Sequence, residues 1–178
     1  ERAAGEYKLG MALLASGDNQ AAIEALSAAR QVYCDDNMDS PPCVVVSLSI
    51  VDALAAQQDW QTAAQRLLEI QSSAMAQGGR LAARWYLLRA SQLLATGQLD
   101  AAESALNAAE KATEGSSDPA DGIARHLVLA QLAEARHQTE DALRLYREVV
   151  AWHQQQGSAA TRSAQLAAQA IRRLEEKS

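Results

Sequence analysis

The chain contains no phenylalanine among its 178 residues, and valine and isoleucine are scarce outside residues 43–51. Strands draw on aromatic and β-branched side chains, so their shortage argues against a sandwich or barrel. Only three prolines occur, all between stretches of helical pattern, where they break no helix. No apolar run approaches the roughly 18 residues of a membrane span, so direct insertion into a bilayer is not expected. Nor does a basic stretch lead into an apolar run, as a signal peptide would have. Lys and Arg number 16 against 22 Asp and Glu, and the one basic doublet is Arg172-Arg173. Neutralising nucleic-acid phosphates takes a basic face, which an acidic chain of this kind lacks, so nucleic acid is not an expected partner. The chain opens on Glu1 rather than Met, which suggests a processed or excised piece of a longer one.

What is present in excess is alanine and leucine, both strong helix formers. Residues 3–16 carry Leu9, Leu13 and Leu14 among alanines at helical spacing. Gly17-Asp18 stops that helix, because glycine accepts the left-handed end, and Asp18 or Asn19 can cap the next by bonding its free N–H groups. The second helix turns Ala22, Ile23, Leu26 and Ala29 to one side. The same alternation of helix, tight turn and helix recurs three times. Ser40-Pro41 and Asp118-Pro119 are cap-then-proline helix starts. Gly157-Ser158 introduces a last helix over 158–176, with Leu166, Ala170, Ile171 and Leu174 along one stripe and Arg162, Arg173 and Lys177 largely away from it.

The turns fall at Gly17, Gln58, Gly97 and His137, spaced by 41, 39 and 40 residues. A near-constant period with one small-residue skeleton indicates a helical array. The skeleton is Leu9, Gly10, Leu13, Gly17, Asp18, Ala22, Leu26 and Ala29 in the first unit. In the second it is Ile50, Val51, Leu54, Asp59, Trp60, Ala63 and Leu67. The third carries Tyr86, Ala90, Leu93, Gly97, Leu99, Ala102, Leu106 and Ala109, and the fourth Leu129, Ala130, Ala142, Leu143 and Tyr146. This pattern resembles the tetratricopeptide repeat. The usual period of that family is about 34 residues. The longer unit here is similar to the variants of kinesin light chains, of bacterial activators of the maltose-regulator type, and of segments attached to bacterial protein kinases.

The resemblance implies an all-α fold: a single domain over 1–178, a superhelical stack of four helix-turn-helix repeats at 3–36, 41–77, 80–115 and 119–156, with the last helix as a cap. It also implies a concave groove lined by the first helix of each repeat. The matching positions are Tyr7, Met11 and Leu14; Val45, Leu48 and Asp52; Arg84, Leu87 and Ser91; and Leu127, Gln131 and Glu134. Such a groove would take an apolar or amphipathic peptide, with Arg84 as a carboxylate anchor. The other reading is that these residues are simply buried by longer helices, since apolar stripes commonly mean core. The carboxylate clamp of heat-shock cochaperones is not expected, because its positions here are Tyr7, Met11, Ser49, Arg84 and Leu88, of which only Arg84 has the chemistry.

Cys34 and Cys43 flank a short loop. Joined, they would close a small ring and point to an oxidising compartment such as a periplasm; reduced and packed as small apolar groups, they would fit the cytoplasm. Asp35, Asn37 and Asp39 have the opening spacing of a calcium loop. Its glycine position holds Ser40 and its closing Glu position Val46, which leaves a solvated acidic turn. His126, His137 and His153 share no metal-ligand spacing, and no metal or other cofactor is expected. Nothing places a nucleophile beside a base, so no catalytic residue is assigned and the protein is not expected to be an enzyme. The expected function is a scaffold holding a protein or peptide segment. The alternative is a regulatory or sensor segment of a larger bacterial signalling protein, a kinase or a membrane-tethered transcription regulator. The Glu1 end shows no polar cap, so a preceding helix, or a second copy in a homodimer, is expected to cover it.

Overall fold

The computed structural model describes residues 1–158 and 161–176, which form nine α-helices and no strand. They are α1 (Arg2–Ser16), α2 (Asn19–Cys34), α3 (Pro41–Ala56), α4 (Trp60–Gln77), α5 (Gly79–Ala95), α6 (Leu99–Ala112), α7 (Pro119–Ala135), α8 (Thr139–Gln155) and α9 (Arg162–Glu175). The last helix was expected from 158 onward. It begins at Arg162, where the Thr161 hydroxyl caps it by accepting from the Ala164 N–H. Ala159, Ala160 and Lys177 of that expectation lie outside the described residues.

The turns repeat at the level of single dihedral angles. Gly17, Gln58, Gly97 and His137 all have positive φ, between 61° and 89°. The residue after each lies near φ −80° to −90° and ψ 67° to 73°. In each turn the second N–H reaches back five residues: Asp18 to Leu13, Asp59 to Leu54, Gln98 to Leu93 and Gln138 to Ala133, at 2.8–3.0 Å. That is the Schellman closure, which satisfies the last carbonyls of a helix. Glycine takes the left-handed angle without strain in two of the turns. Gln58 and His137 take it as ordinary L-residues, so the packing of the helices they join must hold it in place.

Small residues mark where the two helices of each pair meet. Ala22, Ala63, Ala102 and Ala142 have no exposed surface. Four residues on, Leu26, Leu67, Leu106 and Tyr146 fill the space between the helices and are buried. On the first helices, Gly10, Val51, Ala90 and Ala130 sit at matching positions, seven residues before the turn, and are also buried. The central core runs from Leu26 and Ala29 through α3 and α4 to Trp85 and Leu88 of α5. Separate apolar clusters follow around Leu106 and around Val149.

Each helix packs on its neighbours in the chain. Beyond that, α3 packs against α5, α5 against α7 and, more lightly, α1 against α3 and α7 against α9. Among the described residues no two even-numbered helices pack closely together. The odd-numbered helices therefore stand side by side, with the even-numbered ones behind them. This adjacent packing is consistent with a helical repeat. No described helix is long and apolar enough to cross a membrane.

Candidate functional site

The wall shared by the odd-numbered helices brings together residues far apart in sequence. Arg84 of α5 forms an ion pair with Asp52 of α3, and its Nη2 also donates to Ser49 Oγ at 3.0 Å. Ser49 Oγ in turn donates to the Val45 carbonyl one turn earlier, at 3.0 Å. Burial pulls the Arg84 guanidinium toward its neutral form. The charge and hydrogen bond of Asp52, with a further contribution from Tyr7 of α1, outweigh burial and hold its pKa above the ordinary value. A half-buried arginine stays charged because its carboxylate is half-buried with it. The ion pair thus ties α3 to α5 across the wall.

The residues expected to line a groove divide into two groups. Tyr7 and Met11 are partly exposed and pack against the central core. Val45, Arg84 and Leu87 are also partly exposed. Leu48 is not: its exposure is 0 %, and it belongs to the core cluster with Ile50, Trp85 and Leu88. Leu14 is 8 % exposed and packs with Ala22 and Ala53. These two are corrected from groove to core. The cause is the setting of α3, which has α2 and α4 on its flanks and touches α1 and α5 as well. The run from Cys43 to Leu54 is apolar on all sides except for Ser47, Ser49 and Asp52. A helix apolar all round is a buried helix, and that signal was available in the sequence.

Farther along the wall, Glu134 of α7 accepts two hydrogen bonds from Arg173 of α9, at 2.7 and 2.9 Å, and one from the Tyr146 hydroxyl of α8 at 3.0 Å. Glu134 therefore fastens the last helix and is committed to that role. Ser91 Oγ donates to the Leu87 carbonyl at 3.1 Å. Leu127 packs against the cluster around Val149. Arg162, at the start of α9, was read as turned away from the stack. Burial lowers its pKa, and the charge of Asp52 on α3 partly opposes that. Its guanidinium thus stands within the field of the carboxylate that Arg84 uses, a relation across 110 residues that no local pattern announces.

Cys34 and Cys43 are joined by a disulfide, with Cα atoms 5.0 Å apart, tying the end of α2 to the first turn of α3. The loop they close is anchored from outside as well. Gln77 of α4 donates to the Asp39 carbonyl at 2.7 Å, and Ser73 donates to its carboxylate. Asp39 thus serves the packing of the loop on α4. Among the described residues no group of three His, Cys, Asp or Glu side chains gathers as a metal site. An open hollow of about 610 Å³ lies between the end of α6 and the start of α7, bordered by Glu110, Lys111, Asp118 and Arg125. It is lined by polar and charged side chains, and none of the residues assigned to the groove borders it.

Comparison with known proteins gave no match: no family model, no curated protein and no solved structure is significantly similar to this chain.

Proposed function

We propose that the chain is a four-repeat superhelical array of tetratricopeptide type. On this reading it acts as a non-catalytic scaffold that holds a peptide or protein segment against the wall of odd-numbered helices. The observation that carries the reading is the alignment of those helices, with partly exposed Tyr7, Met11, Val45, Arg84 and Leu87 contributed by three of them. Such a wall offers apolar contacts around one charged pair, the chemistry of an amphipathic ligand. Arg84 is held by Asp52, so it anchors a ligand carboxylate only by exchanging one partner for another. The disulfide supports an oxidising compartment for the protein, since such bonds persist there and are reduced in the cytosol.

The test is a selection of binding peptides from a displayed random library on the immobilised protein. Selected peptides are then titrated against Met11→Glu and Leu87→Glu. The expected result is at least about a tenfold loss of affinity in each, equal to about 1.4 kcal/mol, with helicity and melting unchanged. Peptides that bind both variants as tightly as the original protein would move the contact to another face.

A further inference from the structure

At the junction of α8 and α9 a histidine is buried among hydroxyl groups. His153 is 8 % exposed. Its Nδ1 lies 2.9 Å from Ser158 Oγ and 3.2 Å from Thr161 Oγ1, and its Nε2 lies 2.8 Å from Ser163 Oγ. Ser158 Oγ also reaches the His153 carbonyl at 3.2 Å, and Thr161 Oγ1 lies 3.3 Å from Ser163 Oγ. The Trp152 ring stands edge-on to the imidazole, with centroids 4.9 Å apart.

One proton arrangement satisfies four of the five contacts and leaves only the approach of Thr161 Oγ1 to Nδ1 without a bond of its own. Thr161 donates to Ser163, Ser163 donates to Nε2, Nδ1–H donates to Ser158, and Ser158 donates to the His153 carbonyl. This is the neutral ring with its proton on Nδ1, a tautomer assigned from its partners. Thr161 is at the same time the N-cap of α9. The network therefore joins the end of one helix to the start of the next.

No carboxylate takes part. On α9 the nearest charged residue in sequence is Arg162, which makes no ion pair among the described residues and is drawn toward Asp52 of α3. On α7, Arg125 is paired with Glu110 at 3.0 Å, and His126 lies 3.0 Å from Glu148 of α8. Asp118 and Asp121, at the start of α7, are held by Arg80. Glu134 is taken by Arg173 and Tyr146. Ala159 and Ala160 carry no titratable group. Burial is the single cause that moves the His153 pKa, and it moves it down.

We propose that His153 is an acid-sensitive latch, whose protonation frees the start of α9 from the end of α8. A second ring proton turns Nε2 from acceptor to donor. Ser163 must then give up its donated bond and accept, and the Thr161–Ser163 link must reverse. Both ring nitrogens then face hydroxyls with no negative charge near enough to offset the new positive one. Each adjustment falls on the residues that begin α9. The latch is independent of the peptide-holding wall, and its consequence is to uncover the face of α7 and α8 beneath Ala167, Ala170 and Leu174.

The sign follows from linkage. An imidazole buried neutral binds its proton less readily folded than unfolded, so the latch is intact above the unfolded value of about 6.5 and weakens as the pH falls below it. The test is hydrogen exchange by mass spectrometry at pH 7.5 and 5.5, corrected for the intrinsic rate, on the original chain and on His153→Gln. Peptides from 162–175 should lose protection at pH 5.5 by several-fold, up to the limit of about tenfold that one imidazole can give, while those from 60–77 keep theirs. In His153→Gln the two pH values should give the same protection. Equal protection at both pH values in the original chain, or the same loss in the variant, would overturn the latch. Should the variant leave α9 unprotected at pH 7.5, an NMR titration of the original His153 ring decides. A midpoint below 6.5 that coincides with shifts in α9 supports the proposal, and a midpoint at or above 6.5 rejects it.

Discussion

A Cβ placed on Gly10 would stand 2.6 Å from Leu26 Cγ and 2.8 Å from Leu26 Cδ2. Leu26 has no exposed surface, so it has nowhere to retreat. Its backbone N lies 3.2 Å from the same point. The first pair of helices is thus closed to a distance that only glycine permits.

Gly10→Ala should therefore destabilise the protein. Overpacking of this kind costs about 1–3 kcal/mol, against about 1 kcal/mol returned by the better helix propensity of alanine. The net loss expected in urea unfolding is up to about 2 kcal/mol. Gly5, on the same helix, is exposed and has nothing within 4 Å of its would-be Cβ. Gly5→Ala should raise stability by roughly 0.5–1 kcal/mol. If both substitutions moved the midpoint the same way, the close approach of α1 and α2 would not be what sets stability there.

The Cys34–Cys43 disulfide closes a short ring between two helices that also pack directly. In the chain-entropy view a ring of this size contributes roughly 2–3 kcal/mol. Reduction, or replacement of both cysteines by serine, should lower the unfolding free energy by about that amount and leave the helical circular dichroism in place. Alkylation of the folded protein without reductant should add no mass. Uptake of two alkyl groups would show free thiols and remove the argument for an oxidising compartment.

Tyr146 carries a pH dependence at the alkaline end. Burial pushes its phenol well above the ordinary value, and the charge of Glu134 and the hydrogen bond donated to it push further; Arg173 pulls weakly the other way. The unfolded chain releases this proton near pH 10, while the folded chain keeps it. Above that pH the unfolded state binds fewer protons, so stability falls as pH rises. At neutral pH both states are protonated and the shift contributes nothing. Tyr146→Phe should cost about 1 kcal/mol at pH 7 through the lost hydrogen bond and should show a flatter decline between pH 9 and 11. An unchanged slope in urea melts across that range would place the alkaline sensitivity elsewhere.

The architecture could be read from the chain because its punctuation is chemical. Gly17 and Gly97 announce left-handed turns by being glycine. Gln58 and His137 do not, yet the 40-residue spacing located them, and both have positive φ. The fourth unit has the weakest pattern in sequence and the same turn geometry as the first, since the packing of Ala142 and Tyr146 between helices enforces it. The wall was only half legible. A periodic stripe tells which residues point one way, but not whether a second neighbour covers them, and Leu48 is covered while Val45, one turn earlier, is not. The loop between the cysteines showed that they could meet; their bonding is a matter of redox state and geometry. The hydroxyls around His153 left no trace to find, because Ser158, Thr161 and Ser163 look like an ordinary polar linker until the ring is placed among them.

The order in which helices pack has a bearing on how the chain is made. Close packing joins each helix to the next in sequence or to the one after that. Such a fold has low contact order, so little loop entropy must be spent before contacts form. A nascent chain can close α1 onto α2 while α5 is still unsynthesised, and each later pair finds a finished surface to dock on. Growth from one end thus never requires the first residues to wait for the last. The exception is the field of Asp52 on Arg162, which registers only once α9 has been made.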